Sequence, residues 1–201
     1  MKYTLTFFGI LMIGLVHAQT NNLPQWHFGV KADLNLYNIS GNGVASGYTA
    51  GVAGGVYAEH TFNSKWAIQP ELTVSQNNTK QKDFQTYYPD VANPFLADDI
   101  KLAYINVPIM LKYNVTDAFS FLVGPQYSFL IVDAESLWTS HENKSFKSGE
   151  FAGAAGAQFN VKRVSIYGRF TQGFSNINNV ADGRYTWRAS HIQLGVAVRV
   201  L

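Results

Sequence analysis

Along most of this chain apolar and polar residues alternate one by one, in eight segments separated by polar connections. The first segment, residues 26–38, sets Phe28, Val30, Ala32, Leu34 and Leu36 against Gly29, Lys31, Asp33 and Asn35. The third, 66–77, sets Trp66, Ile68, Pro70, Leu72 and Val74 against Gln69, Glu71, Thr73 and Ser75. In the fourth, 100–113, Ile105, Val107, Ile109 and Leu111 oppose Tyr104, Asn106, Met110 and Lys112. The fifth, 118–132, carries Phe119, Phe121, Val123, Tyr127, Phe129 and Ile131 opposite Ser120, Gly124, Gln126 and Ser128. The seventh, 163–174, places Val164, Ile166 and Phe170 opposite Ser165, Tyr167, Arg169 and Thr171. In the last, Ile192, Leu194, Val196, Val198 and Val200 oppose Gln193, Gly195, Ala197 and Arg199. A period of two predicts strands, because successive side chains on extended backbone point to opposite faces. The second segment, 47–60, and the sixth, 149–160, are rich in glycine and alanine, and alternation alone does not fix their phase.

The connections at 61–65, 114–117 and 160–162 are short, whereas those at 40–46, 79–99, 133–148 and 176–187 are long. Strict alternation of short and long connections between an even number of strands predicts an all-β, eight-stranded antiparallel up-and-down barrel. Two orientations are open: a lipocalin-like soluble barrel with the apolar face inside, or a transmembrane barrel with that face outside. Side-chain size separates them, because an eight-stranded barrel has an interior only just wide enough to be filled by side chains. The polar series holds Gly29, Gly55, Ser75, Gly124, Gly156, Gly195 and Ala197, while the opposite series is Trp, Phe, Leu, Ile and Val. Small residues fit inside, so the bulky face meets lipid. A spanning sheet must close on itself, since hydrocarbon offers no partner to an unpaired backbone group. Aromatics cluster near both strand ends: Trp26, Phe62, Trp66, Tyr113, Phe119 and Phe159 by the short turns, and Tyr37, Tyr48, Phe95, Phe129, Phe174 and Trp187 by the long loops. Both sets are expected to form interfacial rings.

Lys2 followed by an apolar run and the small-residue pattern Val16-His17-Ala18 predicts a signal peptide over residues 1–18. The remainder, 19–201, contains no linker or charge block and is expected to form one domain. Only 14% of residues are charged, low for a soluble chain and expected of one with a lipid-facing belt. The formal charge is +2, or +1 once Lys2 is removed, so no strong field points to nucleic acid. The absence of cysteine excludes disulfides, thiolate metal sites and a lipid anchor on cysteine.

With the small face inward, the lumen receives Lys31, Lys112, Arg169 and Arg199 together with Asp33, Glu59 and Glu71. Charges removed from water must be paired, so these seven are expected to form an ion-pair network that plugs the barrel, with Glu71 against one of the arginines. The alternative role is an ion or proton relay. Pro70 and Pro125 fall on the lipid-facing series and Pro108 on the lumenal one; each is expected to mark a bulge or a break in the ladder, with Gly124 allowing close backbone approach beside it.

Four stretches, Gly29-Val30-Lys31-Ala32-Asp33-Leu34-Asn35, Gln69-Pro70-Glu71-Leu72, Tyr104-Ile105-Asn106-Val107-Pro108-Ile109-Met110-Leu111-Lys112-Tyr113 and Gly124-Pro125-Gln126-Tyr127, resemble in order the motifs of the PorT-like outer-membrane β-barrel family. The resemblance covers nearly all of residues 19–201. It implies an eight-stranded barrel in the outer membrane of a Gram-negative-type cell, surrounded by outer-membrane lipid and inserted by the barrel-assembly machinery. Such barrels commonly finish on an aromatic residue, whereas this chain finishes Val198-Arg199-Val200-Leu201.

Catalytic candidates are few. Ser190 and His191 are strand neighbours and point to opposite faces, so they cannot share a proton. His141 and Glu142 with Ser140 and Ser145 offer acid-base residue types in the third long loop, but a solvated polar loop accounts for them. His27 and His60 lack partners at ligand spacing, and neither a metal nor a cofactor is expected. The second long loop places Tyr87, Tyr88 and Phe95 among charged residues, a composition suited to an extracellular or envelope protein partner. The expected function is an integral outer-membrane barrel with a plugged lumen, periplasmic chain ends and an interaction role through its outer loops. A small-solute channel and a surface hydrolase are the alternatives.

Overall fold

A computed structural model describes residues 25–42, 47–80, 99–133, 147–179 and 185–201. Residues 1–18, Tyr87, Tyr88, Phe95, His141 and Glu142 lie outside the described residues. The chain forms eight strands: β1 (Gln25–Ser40), β2 (Thr49–Thr61), β3 (Trp66–Lys80), β4 (Asp99–Asn114), β5 (Phe119–Asp133), β6 (Gly149–Val161), β7 (Val164–Gly173) and β8 (Arg188–Arg199). Each pairs antiparallel with its neighbours in sequence, and β1 pairs with β8, so the sheet is a closed barrel without free edges.

Exposure settles which face is inward. Leu34 is 68% exposed and Ile166 60%, whereas Asn35 is 1% exposed and Glu71 3%. Bulky side chains cover the outside of the cylinder and polar ones fill it, the reverse of a soluble barrel. Register also resolves the two strands that alternation leaves open. Gly29 pairs with Tyr57 and Lys31 with Gly55, so β2 sends Gly51, Ala53, Gly55, Tyr57 and Glu59 inward. Leu122 pairs with Gly156 and Gly156 with Arg169, so β6 sends Glu150, Ala152, Ala154, Gly156 and Gln158 inward.

The short turns are held by their own side chains. Asn63 Oδ1 accepts the backbone N–H groups of Lys65 and Trp66, both at 2.9 Å, and Thr116 Oγ1 accepts that of Phe119 at 3.0 Å. In the β6–β7 turn Lys162 has φ of 54°, in the left-handed region.

Two sequence-based expectations change, while the prolines meet theirs as breaks rather than bulges. Tyr37 and Trp187 are not members of an outer aromatic ring; both are buried inside the barrel. Tyr37 shares its phase with Asn35, not Leu36, and Trp187 docks onto it from the fourth long connection. The prolines interrupt pairing without shifting it. Paired positions lapse between Pro70 and Thr73 on β3, and between Pro108 and Leu111 on β4, with the same register on either side. The one register shift in this β4–β5 ladder lies instead at Ala103 and Tyr104, away from all three prolines. A Cβ on Gly124 would overlap the carbonyl of Ile109, so β5 approaches β4 closely beside the lapse. Finally, β3 and β4 run on to Lys80 and from Asp99, which shortens the second long connection to 81–98.

Candidate functional site

The lumen is the candidate site, and its side chains lie in layers along the barrel axis. At mid-height, Glu71 from β3 meets Lys31 from β1 and Arg169 from β7. Lys31 Nζ stands 2.7 Å from Glu71 Oε2, and Arg169 grips both carboxylate oxygens, Nη1 to Oε2 at 3.0 Å and Nη2 to Oε1 at 2.6 Å. The fork of a guanidinium matches the two oxygens of a carboxylate, so this bridge fixes orientation as well as charge. Gln69 Nε2 donates to Glu71 Oε1 at 2.9 Å. Asp33 accepts the hydroxyl hydrogen bond of Tyr167, whose ring lies 4.4 Å from the Lys31 ammonium.

Room for this layer comes from glycine. Gly195 is the register partner of both Asp33 and Tyr167, and a Cβ there would collide with the Asp33 carboxylate and the tyrosine ring. Gly29 plays the same part for the Tyr57 ring on the neighbouring strand.

Toward the short-turn end, Lys112 Nζ lies 2.7 Å from Glu59 Oε2, and Arg199 Nη2 reaches Glu59 Oε1 at 3.9 Å while remaining 37% exposed. On the loop side of the Glu71 layer, Gln193 Nε2 donates to Asn35 Oδ1 at 3.3 Å, Asn35 Nδ2 to Asn77 Oδ1 at 3.4 Å, and Asn106 Nδ2 to Ser75 Oγ at 3.0 Å. All seven charged residues selected from the sequence thus point inward. Six join two ion-pair groups, centred on Glu71 and Glu59, and Asp33 joins through Tyr167.

Two lumenal features escape the sequence reading. The loop end of the lumen holds an apolar cluster of Tyr37, Ile39, Leu102, Tyr104, Ile177, Trp187 and Ala189. Ile177 and Trp187 belong to the fourth long connection, which folds back into the mouth. Trp187 Nε1 donates to the Asn42 carbonyl at 2.9 Å, the Lys147 amide donates to the Ile177 carbonyl at 2.9 Å, and Asn176 Oδ1 accepts from the Asn178 and Trp187 amides. The second feature is Glu150, an eighth lumenal charge, 2% exposed on β6. Its even spacing from Gln158 was the available signal, hidden by the alanine and glycine between them.

Layered ion pairs within a closed, lipid-faced cylinder define a transmembrane β-barrel. The chain belongs to the outer membrane protein beta-barrel domain family, whose model matches residues 17–179. No curated protein matches it in sequence. Among solved structures it is similar to Ail, the attachment invasion locus protein of Yersinia pestis, at 12% identity and a TM-score of 0.51, covering 87% of this chain and 99% of that one. It is also similar to OprG from Pseudomonas aeruginosa, at 10% identity, a TM-score of 0.49 and coverage of 88% and 96%. For neisserial surface protein A the values are 13%, 0.48, 86% and 96%. At such identities the likeness speaks for the fold alone.

Proposed function

We infer that this outer-membrane barrel is a closed scaffold: its lumen is plugged by side chains, and its work is done by the long loops, which bind an extracellular or envelope protein. The carrying observation is the Glu71 layer, where one buried carboxylate is held by Arg169 and Lys31 across the barrel. A conducting pore needs small hydrated groups along its axis, whereas three long side chains converge here. In this reading the chain ends and short turns face the periplasm, as in other barrels of this architecture. The motif resemblance supports a narrower placement among PorT-like barrels. Tyr87, Tyr88 and Phe95 are the binding side chains of the second long loop, since aromatics among charges suit a partner surface better than a mere cover.

Planar-bilayer recording of the purified barrel tests the plug: silence is expected, and steady steps of a single size overturn it. Deleting residues 81–93 tests the loop. Lost capture of an envelope partner with an intact, heat-modifiable barrel supports binding, and misfolding overturns it in favour of a loop that caps the mouth.

A further inference from the structure

One recess breaks the bulky outer wall. The outward series of β6 runs Phe151, Gly153, Ala155, Ala157 and Phe159, and the β7 residue paired with Ala157 is Gly168, which also faces outward. An open groove of about 760 Å³ lies here on the outer surface, with Ala155, Ala157 and Gly168 among its lining. Phe121 on β5 and Phe170 on β7, the register partners of Ala157 and Ala155, flank it and are half-exposed. Trp66 and Tyr113 stand at its edge, ring centroids 4.7 Å apart.

The groove occupies the short-turn half of the wall, and the turns beside it carry a surplus of positive charge. Lys65, Lys162 and Arg163 are exposed there against a single exposed acid, Asp117. The three turns sit side by side, because the Asn114 amide donates to the Lys65 carbonyl at 2.8 Å and the Asn160 amide to the Ala118 carbonyl at 2.7 Å. Among the described residues none of these cations enters an ion pair, whereas the lumenal ones do. The β6–β7 turn begins four residues beyond Ala157. At about 3.3 Å per residue on strands tilted by about 40°, that places Lys162 and Arg163 about 10 Å further along the barrel axis.

We propose that the groove lined by Ala155, Ala157 and Gly168, together with Lys162 and Arg163 at its short-turn end, is a binding site for an anionic glycerophospholipid. One acyl chain lies in the groove and the phosphate rests on the turn. The groove opens toward hydrocarbon, so a methylene chain fills it. Lysine and arginine run their stems along apolar surface and keep their charged ends at headgroup depth, the level that Trp66 and Tyr113 also mark. Cations without protein partners attract anionic lipid, whereas a zwitterionic headgroup brings its own ammonium to the same place. Charge also argues against a second copy of the chain as the occupant. A two-fold pair built on this face would set Lys65, Lys162 and Arg163 toward their own counterparts.

Native mass spectrometry of the barrel, released from a non-ionic detergent after titration with phosphatidylglycerol or phosphatidylcholine of identical acyl chains, tests the site. One retained lipid per barrel is expected, with half-occupancy at about tenfold lower concentration for phosphatidylglycerol. Lys162→Gly combined with Arg163→Ser should abolish that preference, and the glycine suits the left-handed backbone at 162. Gly168→Leu should weaken both lipids, since a Cβ there meets only Leu194 Cδ2, at 3.6 Å, and the added bulk enters the groove. Equal retention of the two lipids, or of neither, overturns the site. So does a preference that survives loss of the turn cations, or binding untouched by Gly168→Leu. A lipid-free dimer that Gly168→Leu separates overturns it in favour of a second copy. Heat-modifiable migration verifies that each variant is an intact barrel, and should Gly168→Leu fail to fold, Ala155→Leu takes its place with the same expected result.

Discussion

Removing Glu71 alone would leave an ammonium and a guanidinium facing each other in a space that excludes water. Loss of one partner from a buried ionic group costs about 3–5 kcal/mol, so Glu71→Ala is expected to lower barrel stability by that amount in urea titrations followed by heat-modifiable migration. Replacing Lys31, Glu71 and Arg169 together by apolar residues of similar volume is expected to restore most of it, because the desolvation cost then disappears for all three. The glycines at this level are constrained by volume. Gly195→Ala inserts a methyl group where the Asp33 carboxylate and Tyr167 ring already sit, and overpacking of this kind costs about 1–3 kcal/mol. The same substitution in a Tyr167→Leu background should cost less in the same titration. If the two losses are equal, the ring is not what the glycine accommodates.

At the scale of strands and turns, two substitutions test how the short connections are built. Lys162 adopts a backbone conformation that costs an L-residue about 1–2 kcal/mol, so Lys162→Gly is expected to stabilise the hairpin despite glycine's greater unfolded freedom. Asn63→Ala removes two accepted hydrogen bonds and is expected to cost about 1 kcal/mol, read in the same unfolding assay. Strand legibility followed from residue size. In β1, β3, β4, β5, β7 and β8 large apolar and small or polar residues alternate, so phase and inward face could be read directly, and with them six of the seven charged residues of the lumen, Glu59 on β2 being the exception. In β2 and β6 glycine and alanine occupy both faces, and only pairing with a neighbour sets the phase. Glu150 was hidden for that reason. Tyr37 and Trp187 misled differently: an aromatic near a strand end suits a bilayer interface, but it suits an apolar stopper equally well, and the phase of Tyr37 with Asn35 is the better guide. The prolines marked lapses in pairing, while the register shift at Ala103 and Tyr104 carries no residue signature.

For the whole molecule, the order of layers along the axis decides what a breach at one end would do. The apolar cluster at the loop end and the two ion-pair groups below it share no residue, so each should close the lumen independently of the other. The chain lacks cysteine, which allows single reporters to be introduced without interference. Ala189 lies within the apolar cluster, and Ala197 packs with Tyr57 and Tyr167 toward the opposite end. In a Trp187→Ala background, Ala189→Cys should react about tenfold faster with a bulky hydrophilic maleimide applied at the loop end, since burial there depends on the indole. Ala197→Cys should keep its wild-type rate, because the Arg169–Glu71–Lys31 layer still lies between it and the opened mouth. Acceleration at both positions would mean that the layers are one connected cavity governed by the stopper. Under the proposed plug, either layer can be lost without opening a pore.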